Sequence, residues 1–336
     1  MTAESPLVTV ENLAVEFVSH DATVQAVNEV SFTLKRGEVL GILGESGSGK
    51  SVTLRALMRL LPARKSRVSG RIEIAGQDVM ALDTASLGRL RGPTVAMIFQ
   101  EPMTALDPVF TIGQQIVEAI VEHAPVTRSE ARKRALELLE RVQIPSANRR
   151  LDAYPHQLSG GLRQRAMIAI ALACRPALLL ADEPTTALDA TVQIQVLLLL
   201  RTLQQELGMG MIFVTHDLGV AVEVSHKLAV MYAGRIVESG SVHDVVRAPR
   251  HPYTEGLMRS TVHEVAKGER LTPIRGSPPN PALLPPGCSF APRCRYGDAH
   301  CQTAFPAVRL LGAHDGHAHA TRCLYPERVG SEVALA

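Results

Sequence analysis

The stretch GESGSGKS, Gly44 to Ser51, restricts what this chain can fold into more than any other. It fits G-x-x-x-x-G-K-[ST] in full and in the required context, with GEVLGIL (Gly37–Leu43) reading as a buried strand before it and Lys50–Leu61 as a helix after it. Glycines let successive backbone N–H groups converge on phosphate oxygens, and the following helix offers its positive end to the same anion. Lys50 can reach the β- and γ-phosphates of a nucleotide, and the Ser51 hydroxyl can ligate Mg²⁺. The candidate phosphate-site residues are Gly44, Glu45, Ser46, Gly47, Ser48, Gly49, Lys50, Ser51 and Val52.

Three further short apolar runs read as strands covered on both faces: Thr94–Gln100, Ala177–Asp182 and Met211–His216. Helices are expected at Arg128–Val142, with Thr127 and Glu130 as a capping box, and at Ala190–Leu207, closed by Gly208. Strands alternating with helices imply a largely parallel α/β sheet. Leu7–Leu34 and Arg71–Val79 alternate with turn residues instead and predict a smaller antiparallel sheet.

Gln100, Asp182 and His216 end predicted strands, and Glu183 follows at once. In a parallel sheet such ends gather along one edge, where ligands of these folds bind. Asp182 at a strand end can hold Mg²⁺, and Glu183 can act as general base on an attacking water.

Bulk properties set limits on partners. The chain has 336 residues, 46% hydrophobic and 20% charged, with a net charge of +2. It can bury a sizeable core, and its charge gives no footprint for nucleic acid. MTAESPLVTV has neither a basic nor an apolar signal-peptide region, and AMIAIALAC (Ala166–Cys174) is about half the length of a membrane span. These features point to an intracellular chain.

LSGGLRQR, Leu158 to Arg165, brings the motifs together. It resembles the signature of ABC-type ATPases, whose companion motifs stand in order over roughly residues 7–245. Gly44–Ser51 matches Walker A, Gln100 the Q-loop, Asp182 and Glu183 Walker B and its catalytic glutamate, Ala187-Leu188-Asp189 the D-loop and His216 the switch histidine. The resemblance implies a RecA-like P-loop NTPase core with an antiparallel β subdomain and a helical subdomain at about residues 101–165. It also implies Mg²⁺ held by Ser51, Gln100 and Asp182. Leu158, Ser159, Gly160, Gly161 and Leu162 would face ATP held by an opposing cassette; a Ser-Gly-Gly turn opening a helix is an anion site without its own lysine. Phe17 is the candidate for stacking on adenine, with core packing as its alternative.

Further stretches, IFQEPMTALDP, DEPTTALDATVQ, HPYTEGL and GSPPN, look like the D-type ATPase subunit of oligopeptide and dipeptide importers. That resemblance implies a nucleotide-binding domain over 1–248 and a C-terminal importer-type module over 249–336. It implies a second ATPase subunit, two membrane permease subunits, an extracytoplasmic binding protein, and a place at the cytoplasmic face of the membrane. Cargo could be peptides, nickel chelates or glycosides. The rival function is a soluble ABC ATPase with a regulatory or redox role.

Pro273–Pro286 holds six prolines in fourteen residues and leads stiffly into a cysteine-bearing tail. Cys288, Cys294, Cys301 and Cys323 give C-x5-C-x6-C-x21-C, without the tight C-x2-4-C pair usual in zinc sites. Four thiolates are the ordinary ligand set of an iron–sulfur cluster. Zinc, or free structural thiols, are the alternatives. Similar tails in the importer family are associated with a [4Fe–4S] cluster, and the resemblance favours it here. Cys174 reads as packing in an apolar helix, and HDGHAHA (His314–Ala320) as a solvated polar loop.

Overall fold

The computed structural model describes residues 5–19, 22–186, 188–260, 273–314 and 316–330. The chain divides into two compact units, each assembled from separate stretches: Met1–Val8, Leu34–Glu38 and Glu73–Ile212 form the first, and Thr9–Thr33, Val39–Ile72 and Phe213–Ala336 the second.

In the first unit the strands Val95–Ile98 and Leu178–Asp182 pair in parallel, from Val95 opposite Leu178 to Ile98 opposite Ala181. Every residue of both is buried, which is why neither shows alternation in sequence. The helices Ile112–His123, Arg128–Arg141 and Gly160–Leu172 pack on one another, and Ala190–Leu207 packs on the last of them. Their starts follow from local chemistry: Thr111, Thr127, Ser159 and Asp189 each accept from a backbone N–H of the first turn.

The second unit contains a mixed sheet in the order Arg309–His314, His317–Thr321, Arg235–Ser241, Lys227–Tyr232, Val39–Leu43. The last pair is parallel and the others antiparallel. The strands Thr23–Leu34, Val8–Val18 and Ser66–Ile74 are neighbours, in that order, in a smaller sheet. The core of the second unit holds an aromatic group, with the Tyr232 ring centroid 4.6 Å from that of Tyr253 and 5.2 Å from that of Phe290. Behind it lies Glu238, fully buried. Its carboxylate accepts from the backbone N–H groups of Arg250 (2.7 Å) and His251 (2.9 Å) and stands 2.8 Å from His319 Nε2.

Several local expectations need correction. The helix opening at Lys50 ends at Leu57 rather than Leu61, because Arg59 turns to φ 49° and Leu61 precedes Pro62. Thr127 caps its helix, but Glu130 pairs with Arg134 instead of completing a capping box; a reciprocal box forms at Thr111 and Gln114. HDGHAHA is not a solvated loop. His317–Thr321 is a strand, and its alternation puts His319 inside, 7% exposed. Cys174 lies beyond the helix end at Leu172, and its Sγ donates to Ala119 O at 3.3 Å.

Candidate functional site

The phosphate loop belongs to the second unit. The buried strand Val39–Leu43 delivers the chain to Gly44, and Gly49, at φ 104°, opens the helix Lys50–Leu57. Neither glycine can be replaced by a larger residue. A Cβ on Gly44 would lie 2.2 Å from Met231 O, and one on Gly49 2.5 Å from Ala26 O. Lys50 is 4% exposed, and its Nζ donates to Gly44 O (2.7 Å) and Glu45 O (2.9 Å). The ammonium is thus held over the loop by carbonyls that an incoming phosphate can replace. Ser48 Oγ is buried without a hydrogen-bond partner among the described residues, as a donor reserved for a bound ligand would be. Ser51 and Val52 sit half-buried in the first helical turn. Glu45 is fixed from outside the loop: its N–H donates to Tyr253 Oη (2.8 Å), and its carboxylate takes a two-pronged contact from Arg293 (2.6 and 3.0 Å).

His216 follows the strand Gly210–Thr215 and is exposed. Phe17 is half-exposed near the end of the strand Val8–Val18.

In the first unit the strand expected over Thr94–Gln100 is Val95–Ile98, so Gln100 lies two residues beyond its end rather than ending it, and it stands beside Glu183. Gln100 Nε2 donates to Glu183 Oε2 at 3.3 Å, and Thr186 Oγ1 donates to the same oxygen at 3.0 Å. Asp182 is 1% exposed at the strand end. Glu183 has φ 45°, a left-handed backbone that costs a non-glycine residue free energy and that clusters at functional positions. Ser159 caps the helix that begins at Gly160, and a Cβ on Gly161 would lie 2.7 Å from Val192 Cγ1, in the first turn of the helix that Asp189 caps. Leu158 is buried and Leu162 half-buried. Ala187 lies outside the described residues. Sequence reasoning did not find Thr186, Tyr253 or Arg293 as neighbours of this chemistry, although DEPTTALDATVQ contains Thr186 and HPYTEGL contains Tyr253.

All four tail cysteines line one small cavity, together with His251, Phe290, Tyr296 and Tyr325. Burial pushes the Cys288 thiol up, that of Cys294 to about 11 and that of Cys323 to about 12. Among the described residues no three or more His, Cys, Asp or Glu side chains form a group that could hold a metal ion.

Residues 27–186 match the ABC transporter family, and residues 237–301 match the family described as oligopeptide/dipeptide transporter, C-terminal region. A Brucella abortus protein named as a peptide import ATP-binding protein is 48% identical over 328 residues, covering 98% of this chain and 97% of the relative. The chain belongs to the ABC transporter ATP-binding proteins. A Brucella melitensis relative, also named for peptide import, is 47% identical over 334 residues, 96% of this chain and 98% of the relative. This ABC ATPase shares its fold with the dimeric ATP-binding cassette MJ0796 bound to ADP and phosphate, at TM-score 0.63, 30% identity and coverage of 70% of this chain and 98% of that one. It also shares it with cbiO1 of Clostridium perfringens, at TM-score 0.61, 29% identity and coverage of 72% and 91%. The mixed α/β sheets are those of a RecA-like P-loop core, and the ABC ATPase hydrolyses ATP, with Mg²⁺ as the ion expected for that reaction. Among the described residues no helix is long and apolar enough to cross a membrane.

Proposed function

We propose that this ATPase is the motor subunit of an importer for di- and oligopeptides. What carries the reading is the match, over 98% of the chain, to relatives named for peptide import. The proposed assembly has a second ATPase subunit, two membrane permease subunits and an extracytoplasmic binding protein, with this chain at the cytoplasmic face. Phe99, Met103, Val109 and Phe110, all exposed, form an apolar stretch just beyond the strand Val95–Ile98 and support docking of permease segments there. The proposed division is a nucleotide-binding domain over 1–248, with its helical subdomain at about 101–165, and an importer-type module over 249–336.

Within the site, residues 44–52 cradle the ATP phosphates, Lys50 contacts the β- and γ-phosphates, and Phe17 stacks on adenine. Ser51, Gln100 and Asp182 would hold Mg²⁺, which when bound neutralises phosphate charge. Glu183 takes a proton from the attacking water as the γ-phosphoryl group passes to that water, leaving ADP and phosphate. The left-handed backbone of Glu183 and the donors Gln100 and Thr186, which hold its carboxylate, support that role. His216 stands as the switch histidine. Leu158, Ser159, Gly160, Gly161 and Leu162 act on ATP held by the second subunit, and Asp189 belongs to the same face.

For the tail, the finer reading is a [4Fe–4S] cluster on Cys288, Cys294, Cys301 and Cys323. Its support is the chemistry of the donor set. The four thiols share one cavity, and backbone N–H groups of Phe290, Ala291, Tyr296, Gly297 and Tyr325 point at their sulfurs. Among the described residues no Lys or Arg lines that cavity, so thiolates there would need a cationic inorganic core. Zinc is the alternative, less favoured because the four cysteines lack the tight C-x2-4-C pair usual in zinc sites.

The decisive experiment reconstitutes the chain with its permeases and binding protein in vesicles and measures ATP hydrolysis and cargo uptake. Stimulation by di- or oligopeptides supports the proposal. Stimulation by nickel chelates or glycosides alone would keep the motor and replace the cargo. ATP hydrolysis indifferent to the permeases would favour the soluble alternative.

A further inference from the structure

Glu45 is an odd residue for a phosphate site. It places a carboxylate on a loop whose backbone N–H groups serve an anion, so on its own it works against nucleotide binding. Each polar group of Glu45 nevertheless has an assigned partner. Its carbonyl accepts from Lys50 Nζ (2.9 Å) and Ser48 N (3.2 Å). Its N–H donates to Tyr253 Oη (2.8 Å). Its carboxylate meets both terminal nitrogens of Arg293, at 2.6 and 3.0 Å.

Arg293 comes from the cysteine segment. It ends the short turn Ala291–Arg293, directly before Cys294. Its side chain is 4% exposed, its Nε donates to Arg275 O (2.9 Å), and its guanidinium lies 5.9 Å from the Phe290 ring centroid and 5.8 Å from that of Tyr232. Packing and the backbone bond therefore set the fork before any nucleotide arrives. A planar, pre-set fork on a carboxylate fixes both position and charge, which a flexible lysine would not.

We infer that Arg293 is a positioning residue for nucleotide binding: it neutralises Glu45 and locks the phosphate loop to the cysteine segment. This goes beyond the importer reading and needs only that residues 44–51 hold the nucleotide phosphates. Removing the arginine alone leaves a carboxylate uncompensated beside the phosphates. Removing both partners leaves no charge to compensate.

The test is a double-mutant cycle on the full chain, with binding of the fluorescent analogue mant-ATP and Mg²⁺ as the readout. Arg293→Ala should weaken binding about tenfold. Arg293→Ala with Glu45→Ala should recover to within about threefold of the wild-type chain, and Arg293→Lys should fall between. Should Arg293→Ala not show a cooperative melt, Arg293→Gln, which keeps most of the packing length, takes its place in the cycle. A double variant as weak as Arg293→Ala, or weaker, would overturn the inference, because a merely structural arginine is not rescued by removing its partner. Unchanged affinity in Arg293→Ala would overturn it too. Lys50→Ala, measured alongside, reports separately on whether mant-ATP binds at the phosphate loop at all.

Discussion

Gln100 donates its side-chain N–H to Glu183 at 3.3 Å, across 83 residues of sequence. Thr186 Oγ1 donates to the same carboxylate oxygen, so fixed donors hold this side chain in place. Glu183→Gln keeps the shape and loses the base. ATP should still bind, while hydrolysis by the assembled complex should fall about 10²–10⁴-fold, the range of one general base. Single-turnover hydrolysis read beside nucleotide binding checks this, and turnover close to wild type would remove Glu183 from its role.

Lys50 is buried and bonded to two loop carbonyls, so its proposed phosphate contact would come on top of a structural role in the loop. Lys50→Ala should weaken ATP binding more than tenfold. It should also lower stability by about 1–3 kcal/mol, since two charge-assisted hydrogen bonds go with it. Titration calorimetry and a urea melt separate the two losses.

If the tail carries a [4Fe–4S] cluster, the chain purified without oxygen should be brown, with iron and acid-labile sulfide in near-equal amounts. Cys294→Ser should lower both. Stoichiometric zinc in a colourless sample would select the other metal, and absence of both would leave free thiols.

His251 gives the fold an acid limit. It is 1% exposed, and burial drives its imidazole down to about 3, while Nδ1 accepts from Tyr253 N at 3.1 Å and so must be unprotonated. The unfolded chain takes up a proton at this residue near pH 6.5, and the folded chain does not until about pH 3. Stability from this group is therefore present above pH 6.5 and is lost on acidification, by about 1.4 kcal/mol per pH unit. His251→Asn can keep the cap acceptor without titrating. Urea midpoints should then fall less steeply between pH 6.5 and 4.5 than in the wild-type chain. Equal slopes would place the acid sensitivity elsewhere.

The phosphate loop was legible because its chemistry is local: Gly44, Gly49 and Lys50 are fixed by what one turn must do. The same holds for the cap Thr127, whose partner lies three residues on; the Asp189 cap, equally local, went unread. What sequence could not show depends on partners far along the chain. Glu45 meets Tyr253 and Arg293 at separations of 208 and 248 residues, with no periodicity to announce either. The histidines of HDGHAHA look solvated until Glu238, 81 residues from His319, supplies a buried acceptor. Glu130 had two available partners, and only the folded helix shows that it takes Arg134.

If Glu183 is the proposed general base, its left-handed backbone sets stability and activity against each other at this residue. A glycine there would relieve about 1–2 kcal/mol of steric cost and give back about 0.5–1 in chain entropy. Glu183→Gly should melt no lower than the wild-type chain while losing hydrolysis. Selection for thermal robustness alone would thus drift toward an inert protein at this site, and a stabilised variant sought by melting temperature needs its turnover measured at every step.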